Sequence, residues 1–324
     1  MKLLFVTGCD SAFFNTFLIC LQSFAERISD QRLFVCDFGL TSAQAQFLRH
    51  LGLLLVRPTD LAARGTFHCK AALARYLQHN AHRIEDYDAV VWLDADLTLM
   101  EVGFGDFAAV GHAMTASGAL VAACREPANS SIGQVISSHA ATMTPFVRVA
   151  TQAAIDHTLP YLSSGLFFCR SAAFLQRWME LTDAVAEHPL FEQNMFNMAL
   201  YNPSIPLLAL DCEEWQAQGH SLDRVRLFPS SQGGRPAAGI GDKNIKTLHT
   251  TSGASGHLLI GVCRMTVRDL DLTGPFKLFL SESLRMYQLQ LLASLIAAHN
   301  GELLRLGICS RATTAVDGFQ FVTL

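Results

Sequence analysis

The sequence predicts a mixed α/β protein: a mostly parallel central sheet with helices on both faces. Three observations carry this. From the first residue to residue 93, short apolar runs alternate with stretches whose apolar residues recur at helical spacing, the pattern of a chain winding between strand and helix. The run Ala89–Leu93 is short, rich in Val and Trp and flanked by polar residues, as a buried strand should be. Half of the 324 residues are apolar, enough for a substantial core.

Residues 2–7 read as the first strand, ending in Gly8, Cys9, Asp10 and Ser11. Residues 12–28 carry Phe13, Phe17, Leu21, Phe24 and Ile28 at helical spacing. Residues 32–36 are a second strand leading to Asp37, Phe38 and Gly39, and Thr41 is placed to cap a helix over 42–51. A third strand over 53–57 is stopped by Pro58; a helix over 68–80 precedes the Ala89–Leu93 strand. Residues 101–118 are Gly-rich and weakly periodic, and read as a loop. Strands are expected over 120–124 and 205–210, helices over 145–155, 172–185 and 191–200, and a turn of small residues before an apolar strand ending at Cys169. Residues 127–143 read as irregular or short-helical. Residues 230–244 are the most loop-like stretch, followed by a short strand over 245–248 leading to His249. Leu258–Val267, a helix over 282–298 and strands over 303–308 and 319–324 complete the chain.

Composition narrows the class. Twenty-four basic against 28 acidic residues give a net charge of −4, which argues against a sequence-independent nucleic-acid binder. Nine cysteines without a CxxC pair suggest buried free thiols in a reducing compartment. The opening MKLLFVTGCD reads as a strand rather than a signal peptide, and no apolar stretch reaches the roughly 18 residues of a membrane span. A cytoplasmic location is therefore expected. Neither a Gly-x-Gly-x-x-Gly after the first strand nor a Walker-type Gly-Lys-Ser/Thr is present, so a dinucleotide or P-loop site is not supported.

The chemistry concentrates after Leu93. Asp94 and Asp96 are two apart, so a continuing strand would turn both carboxylates to one face. Two such groups at a strand's end repel each other unless a cation shares them. Oxygen ligands favour hard divalent ions, Mn²⁺ or Mg²⁺. In open α/β sheets, ligands bind at the carboxyl ends of the strands, where these aspartates lie.

Val90 to Asp96, following a three-strand α/β start, resembles the Asp-X-Asp strand of GT-A-fold glycosyltransferases, and most closely the family-8-like nucleotide-sugar transferases. Further segments fit in order: Asp37 with Gly39 as the second-strand loop, Lys70 as the basic residue ahead of the Asp-X-Asp strand, and Ser163, Ser164 and Gly165 as the sugar-pocket strand. Glu192 and Gln193 are similar to the family's Asp-Gln helix start, with Glu in place of Asp, and His249 stands where the family places its third metal ligand.

The resemblance covers residues 1–255. It implies a Rossmann-like, nucleotide-sugar-binding domain there, with 256–324 as a C-terminal extension of unassigned role packed on it. It further implies a metal-dependent transfer from a nucleotide-diphosphate sugar, a UDP-sugar first among them, with retention, to a carbohydrate, lipid-linked or protein acceptor. Asp94, Asp96 and His249 would hold Mn²⁺ or Mg²⁺. Gly8, Asp10, Asp37, Lys70, Asp94, Ser164 and Gly165 would contact the donor, and Glu192 and Gln193 would work near the anomeric carbon. Acceptor recognition would fall to loops at 101–118, 130–144 and 230–244.

Other classes compete. Asp94, Asp96 and Thr98 also fit the Asp-x-Asp-x-Thr motif of haloacid-dehalogenase-like phosphatases, with Asp94 as nucleophile, Asp96 as general acid and Asp242 after Gly241 as a second acidic motif. That family's motif belongs on a first strand, and three strands precede it here. A catalytically silent sugar-binding or interaction domain is argued against by the complete Asp94, Asp96 and His249 set. A nucleotidyltransferase would need a basic Gly-rich loop after the first strand, which is missing.

Overall fold

The computed structural model describes residues 1–126, 130–139, 141–230, 236–251, 256–312 and 318–321. Its fold is mixed α/β around a central sheet, as the sequence predicts. β1 (Leu3–Cys9) is buried along its length and leads into α1 (Phe14–Arg27). β2 (Leu33–Asp37), α2 (Ser42–His50) and β3 (Leu54–Leu55) follow. Thr41 caps α2 as expected, within a reciprocal capping box with Gln44. The helix expected over 68–80 is two helices, α3 (Thr66–Ala71) and α4 (Leu73–His79), because Ala72 (φ −81°, ψ 21°) leaves helical geometry. β4 (Ala89–Leu93) has the expected bounds and β5 (Leu97–Leu99) follows at once.

Residues 101–118 depart from expectation. Most of the supposed loop is α5 (Phe104–Ser117), whose buried residues Phe107, Val110, Gly111 and Met114 recur at i, i+3, i+4 and i+7. Gly111 is part of that stripe: a Cβ there would lie 2.2 Å from the Met1 sulfur, so the glycine admits the chain's first side chain. β6 (Val121–Arg125), α6 (Ile132–Ser138), α7 (Thr144–Gln152) and β7 (Leu162–Cys169) come next. Ser163, Ser164 and Gly165 lie inside β7 rather than in a turn before it. α8 (Ala172–Ala184), α9 (Phe191–Tyr201), β8 (Leu207–Leu210) and α10 (Cys212–Trp215) complete this stretch.

The later chain is richer in strands than its sequence suggests. β9 (Arg226–Pro229), β10 (Pro236–Ile240) and β11 (Lys243–Asn244) make a three-stranded sheet; β10 and β11 lie in the region read as loop, 230–244, of which 231–235 lie outside the described residues. β12 (Thr247–His249) includes His249 itself. β13 (Leu258–Val267) forms a ten-pair antiparallel ladder with β14 (Leu270–Phe279), which sequence reasoning missed. α11 (Glu282–Arg305) runs through the first half of the supposed strand at 303–308, and the rest is turn. β15 (Ser310–Arg311) and β16 (Gly318–Phe321) finish the four-stranded sheet β15-β14-β13-β16; the strand expected over 319–324 falls partly outside the described residues.

The central sheet has seven strands in the order β3-β2-β1-β4-β7-β6-β8. β1 and β4 are parallel, as are β6 and β8, while β7 runs antiparallel to both β4 and β6. The chain divides into two compact units. One comprises Met1–Val6, Leu55–Leu93 and Gly105–Trp215. Its core includes an aromatic cluster in which Trp178 lies 5.6 Å from Phe167 and 5.2 Å from Phe196 between ring centroids. The other comprises Thr7–Leu54, Asp94–Phe104 and Gln216–Leu324. There Phe14, Phe17, Leu18, Leu21 and Phe24 of α1 are buried, and α1 packs against α11 and β14.

Candidate metal centre and polar cluster

Strand β4 ends at Leu93, so Asp94 and Asp96 do not share a strand face by pleat. They lie in a tight turn closed by the Leu97 N–H donating to the Asp94 carbonyl at 3.1 Å. The turn is anchored beneath by Cys20, whose thiol lies 3.8 Å from the same carbonyl. β12 then pairs antiparallel with β5, in the register His249↔Leu97, Leu248↔Thr98 and Thr247↔Leu99. That ladder sets His249 beside a residue 153 positions earlier in the chain: His249 Nε2 is 2.9 Å from Asp96 Oδ1 and 3.8 Å from Asp94 Oδ2. Thr250 fixes the turn from the same side, its N–H and hydroxyl both donating to the Asp96 carbonyl at 3.1 and 3.0 Å.

One ligand atom from each of Asp94, Asp96 and His249 lies within 4.8 Å of the others. Asp96 and His249 are buried and Asp94 is half-buried, so the cluster opens on one side. Around His249 the second layer is built as metal-binding imidazoles require. Nδ1 is 2.8 Å from Gln216 Nε2 and 2.9 Å from Gln218 Oε1. Both glutamines are held by Ala217 between them, whose N–H donates to Thr247 O and whose carbonyl accepts from His249 N–H. When Nδ1–H donates to Gln218, the Nε2 lone pair is free for a cation; when Nδ1 accepts from Gln216, Nε2–H donates to Asp96.

A residue that sequence reasoning missed completes the cluster. Lys277, on β14, donates from Nζ to Asp96 Oδ2 at 3.0 Å, and its ammonium lies 4.7 Å from the Phe13 ring centroid. Its backbone N–H is held by the Thr16 hydroxyl at 3.0 Å. The signal was present in the sequence: Lys277 is the one cation in the apolar run 276–279, and a charge on such a run is costly unless paired.

These neighbours set the protonation states. Burial alone would raise the Asp96 pKa, but the facing His249 and Lys277 outweigh it and hold the carboxyl below the usual carboxylate range. Burial would lower the His249 pKa, yet the Asp96 carboxylate and its hydrogen bond, with Asp94 behind, raise it above the ordinary value. Burial, then Asp96 and Asp94, push the Cys20 thiol up, so it stays neutral. An ionised Asp96 is suited to ligation and ill suited to act as the general acid of the phosphatase alternative. Asp242, offered for that alternative's second motif, is exposed beside Gly241 in the turn between β10 and β11.

The other unit brings four further sequence-selected residues together. Lys70 Nζ donates to Ser164 Oγ at 3.1 Å and lies 3.7 Å from Glu192 Oε1. Ser164 N–H donates to Gln193 Oε1 at 3.1 Å, and its hydroxyl lies 3.3 Å from both Glu192 Oε2 and Gln193 Oε1. Lys70 and Glu192 are buried at 7% and 5% exposure, so this lysine is not a surface helix residue. α9 is locked to β7 by Asn197, which accepts from Leu162 N–H and donates to Leu162 O, both at 2.8 Å. Gly165 follows in β7, its N–H bonded to the Ser163 hydroxyl.

Gly8, Asp10 and Asp37 occupy the ends of β1 and β2. Asp10 Oδ1 accepts the Phe13 N–H at 2.9 Å, and Asp37 Oδ1 accepts those of Gly39 and Leu40 at 2.9 and 2.8 Å, so both carboxylates shape turns. The two turns are tied by Ser11 N–H to Gly39 O and Phe38 N–H to Cys9 O, each at 3.1 Å. Gly8 is buried against the Phe38 ring, whose nearest atom would be 2.3 Å from a Cβ. Two of the expected acceptor loops, 101–118 and the described part of 230–244, are instead mainly helix and strand, and 130–144 contains α6. Among the described residues, no helix is long and apolar enough to cross a membrane.

A scan against protein-family models finds no match, and a search of curated proteins finds none. Among solved structures, the chain is similar to the apo form of WbbM, a bifunctional glycosyltransferase, at 12% identity and TM-score 0.47 over 67% of this chain. It spans 40% of that enzyme's length. It is also similar to an active-site mutant of the galactosyltransferase LgtC (13% identity, TM-score 0.46, 77% of this chain and 86% of that one). A third is mouse xyloside xylosyltransferase 1 in its apo form (12% identity, TM-score 0.46, 78% and 99%).

Proposed function

We propose that this chain is a metal-dependent glycosyltransferase that moves a sugar from a nucleotide-diphosphate sugar, a UDP-sugar first among candidates, to an acceptor, with retention. The observation that carries the reading is the Asp94, Asp96 and His249 cluster, assembled from two distant segments by the β5–β12 ladder. The donor set fits a divalent cation: two carboxylates, one of them held ionised, and an imidazole whose far nitrogen has a partner for either tautomer. The Lys277 ammonium already placed on Asp96 supports the same fit, since the site draws positive charge. Bound there, Mn²⁺ or Mg²⁺ supplies Lewis-acid neutralisation of the departing diphosphate.

The chain's own residues take the remaining roles in this reading. Asp96 and His249 are the ligands, with Asp94 turned toward ribose and metal. Lys277 holds Asp96 ionised and adds positive charge beside it. Asp10 and Asp37, in paired turns at the ends of β1 and β2, face nucleobase and ribose. Lys70 holds Ser164 and Glu192 in place, and Glu192 and Gln193 meet the sugar. Residues 256–324 extend the 1–255 domain and contribute Lys277 to its metal centre.

Turnover tests the reading. Purified protein with saturating Mn²⁺ should release UDP from a UDP-sugar, by transfer or slow hydrolysis, and Asp96→Ala should lower the rate at least about 100-fold, as loss of several kcal/mol of charge stabilisation requires. An unchanged rate in that variant would sink the proposal.

A further inference from the structure

A second set of metal-ligating side chains stands outside this cluster. His220 and Asp223 belong to the 3₁₀ turn Gly219–Arg224, and three residues apart on such a turn they project from the same side. His257 immediately precedes β13 and is tied to the strand pair by Leu280 N–H donating to its carbonyl at 2.8 Å. Asp223 Oδ1 lies 3.0 Å from His257 Nδ1, and the His220 and His257 rings stand nearly perpendicular, at 87°, with centroids 5.5 Å apart. One ligand atom from each of the three falls within 4.8 Å of the others.

The geometry and donor chemistry agree. Ligands held about 2.1 Å from a tetrahedral ion lie roughly 3.4 Å from one another. The Asp223–His257 pair is already close to that spacing, and an atom of the exposed His220 ring lies within 4.8 Å of both. Two imidazoles and one carboxylate form a softer set than the two carboxylates and one imidazole of the first cluster. The surroundings differ as well: Asp223 and His220 are exposed, leaving room for water to fill the remaining coordination positions.

We propose that His220, Asp223 and His257 form a second cation site that takes a borderline transition-metal ion of the zinc class and clasps the Gly219–Arg224 turn to the start of β13. This site does not depend on the glycosyltransferase reading. Its ligands come from the surface and a loop end, so it serves as a brace rather than a seat for substrate.

The test uses the full chain, stripped with chelator and then titrated with Zn²⁺, with bound metal counted after dialysis. The wild type should retain one more equivalent of zinc than the His220→Gln/His257→Gln double variant, and Asp223→Asn should weaken that equivalent at least 10-fold. Mn²⁺ binding should be the same in all three, and so should melting in excess chelator, which shows that the variants fold. Equal zinc content and affinity in the wild type and the double variant would overturn the proposal. So would a zinc equivalent lost only in a variant that also melts early in chelator.

Discussion

At the scale of single residues, the metal centre is a balance of charges around Asp96. Lys277 and His249 both face its carboxylate, so a cation entering the cluster competes with an ammonium that is already there. Lys277→Met should therefore tighten Mn²⁺ binding by about 10-fold, one pKa-sized increment of interaction, while lowering the melting temperature of the metal-free chain. Calorimetric titration and thermal melts in chelator measure the two effects; weaker Mn²⁺ binding in the variant would contradict the assignment. The same balance gives a pH dependence. His249 has a raised pKa, so its stabilising contact is fully present below the ordinary histidine value near 6.5 and fades as pH rises through the higher folded value. Asp96 has a lowered pKa, so its contribution is present above the ordinary value near 3.9 and fades as pH falls below it. Metal-free protein should thus lose denaturant resistance as pH rises above about 6.5, and His249→Gln should flatten that limb of the profile.

At the scale of elements, the turns after β1 and β2 depend on a contact that only glycine allows. A Cβ on Gly8 would overlap the buried Phe38 ring, so Gly8→Ala should cost about 1–3 kcal/mol by overpacking, and Phe38→Leu in the same chain should restore part of it. Denaturant midpoints of the single and double variants check this. Elements of this kind also show what was legible in the sequence. β4 and the α2 cap could be read to the residue because an apolar run with polar flanks and a Thr-x-x-Gln box are local signals. α5 was hidden because glycines interrupt its apolar stripe, and the reason for Gly111 is Met1, more than a hundred residues away. β14 was hidden by Gly274 and Pro275, residues that ordinarily break a strand. β15 pairs with Leu270 and Asp271, so the missing Pro275 N–H falls where, among the described residues, β14 has no strand partner on that side, and Thr16 of α1 caps the edge beyond it. Missing β14 meant missing Lys277.

At the scale of the whole molecule, the candidate residues fall into two groups, one in each compact unit. Asp94, Asp96, His249 and Lys277 belong to one unit, and Lys70, Ser164, Glu192 and Gln193 to the other. Order along the chain singled out every member of these groups except Lys277, but the pairing of His249 with Asp96 is a product of strand register that no local pattern encodes. The most direct test of the central claim is a thermal-shift panel of UDP, GDP, CMP, ADP and dTDP, each with and without Mn²⁺. A nucleotide at about 100 times its dissociation constant stabilises the fold by about 2.7 kcal/mol. A metal-dependent nucleotide-sugar site should give a shift with a nucleoside diphosphate that grows with Mn²⁺ and vanishes in Asp96→Ala. A shift of equal size in that variant, or none with any nucleotide, would contradict it.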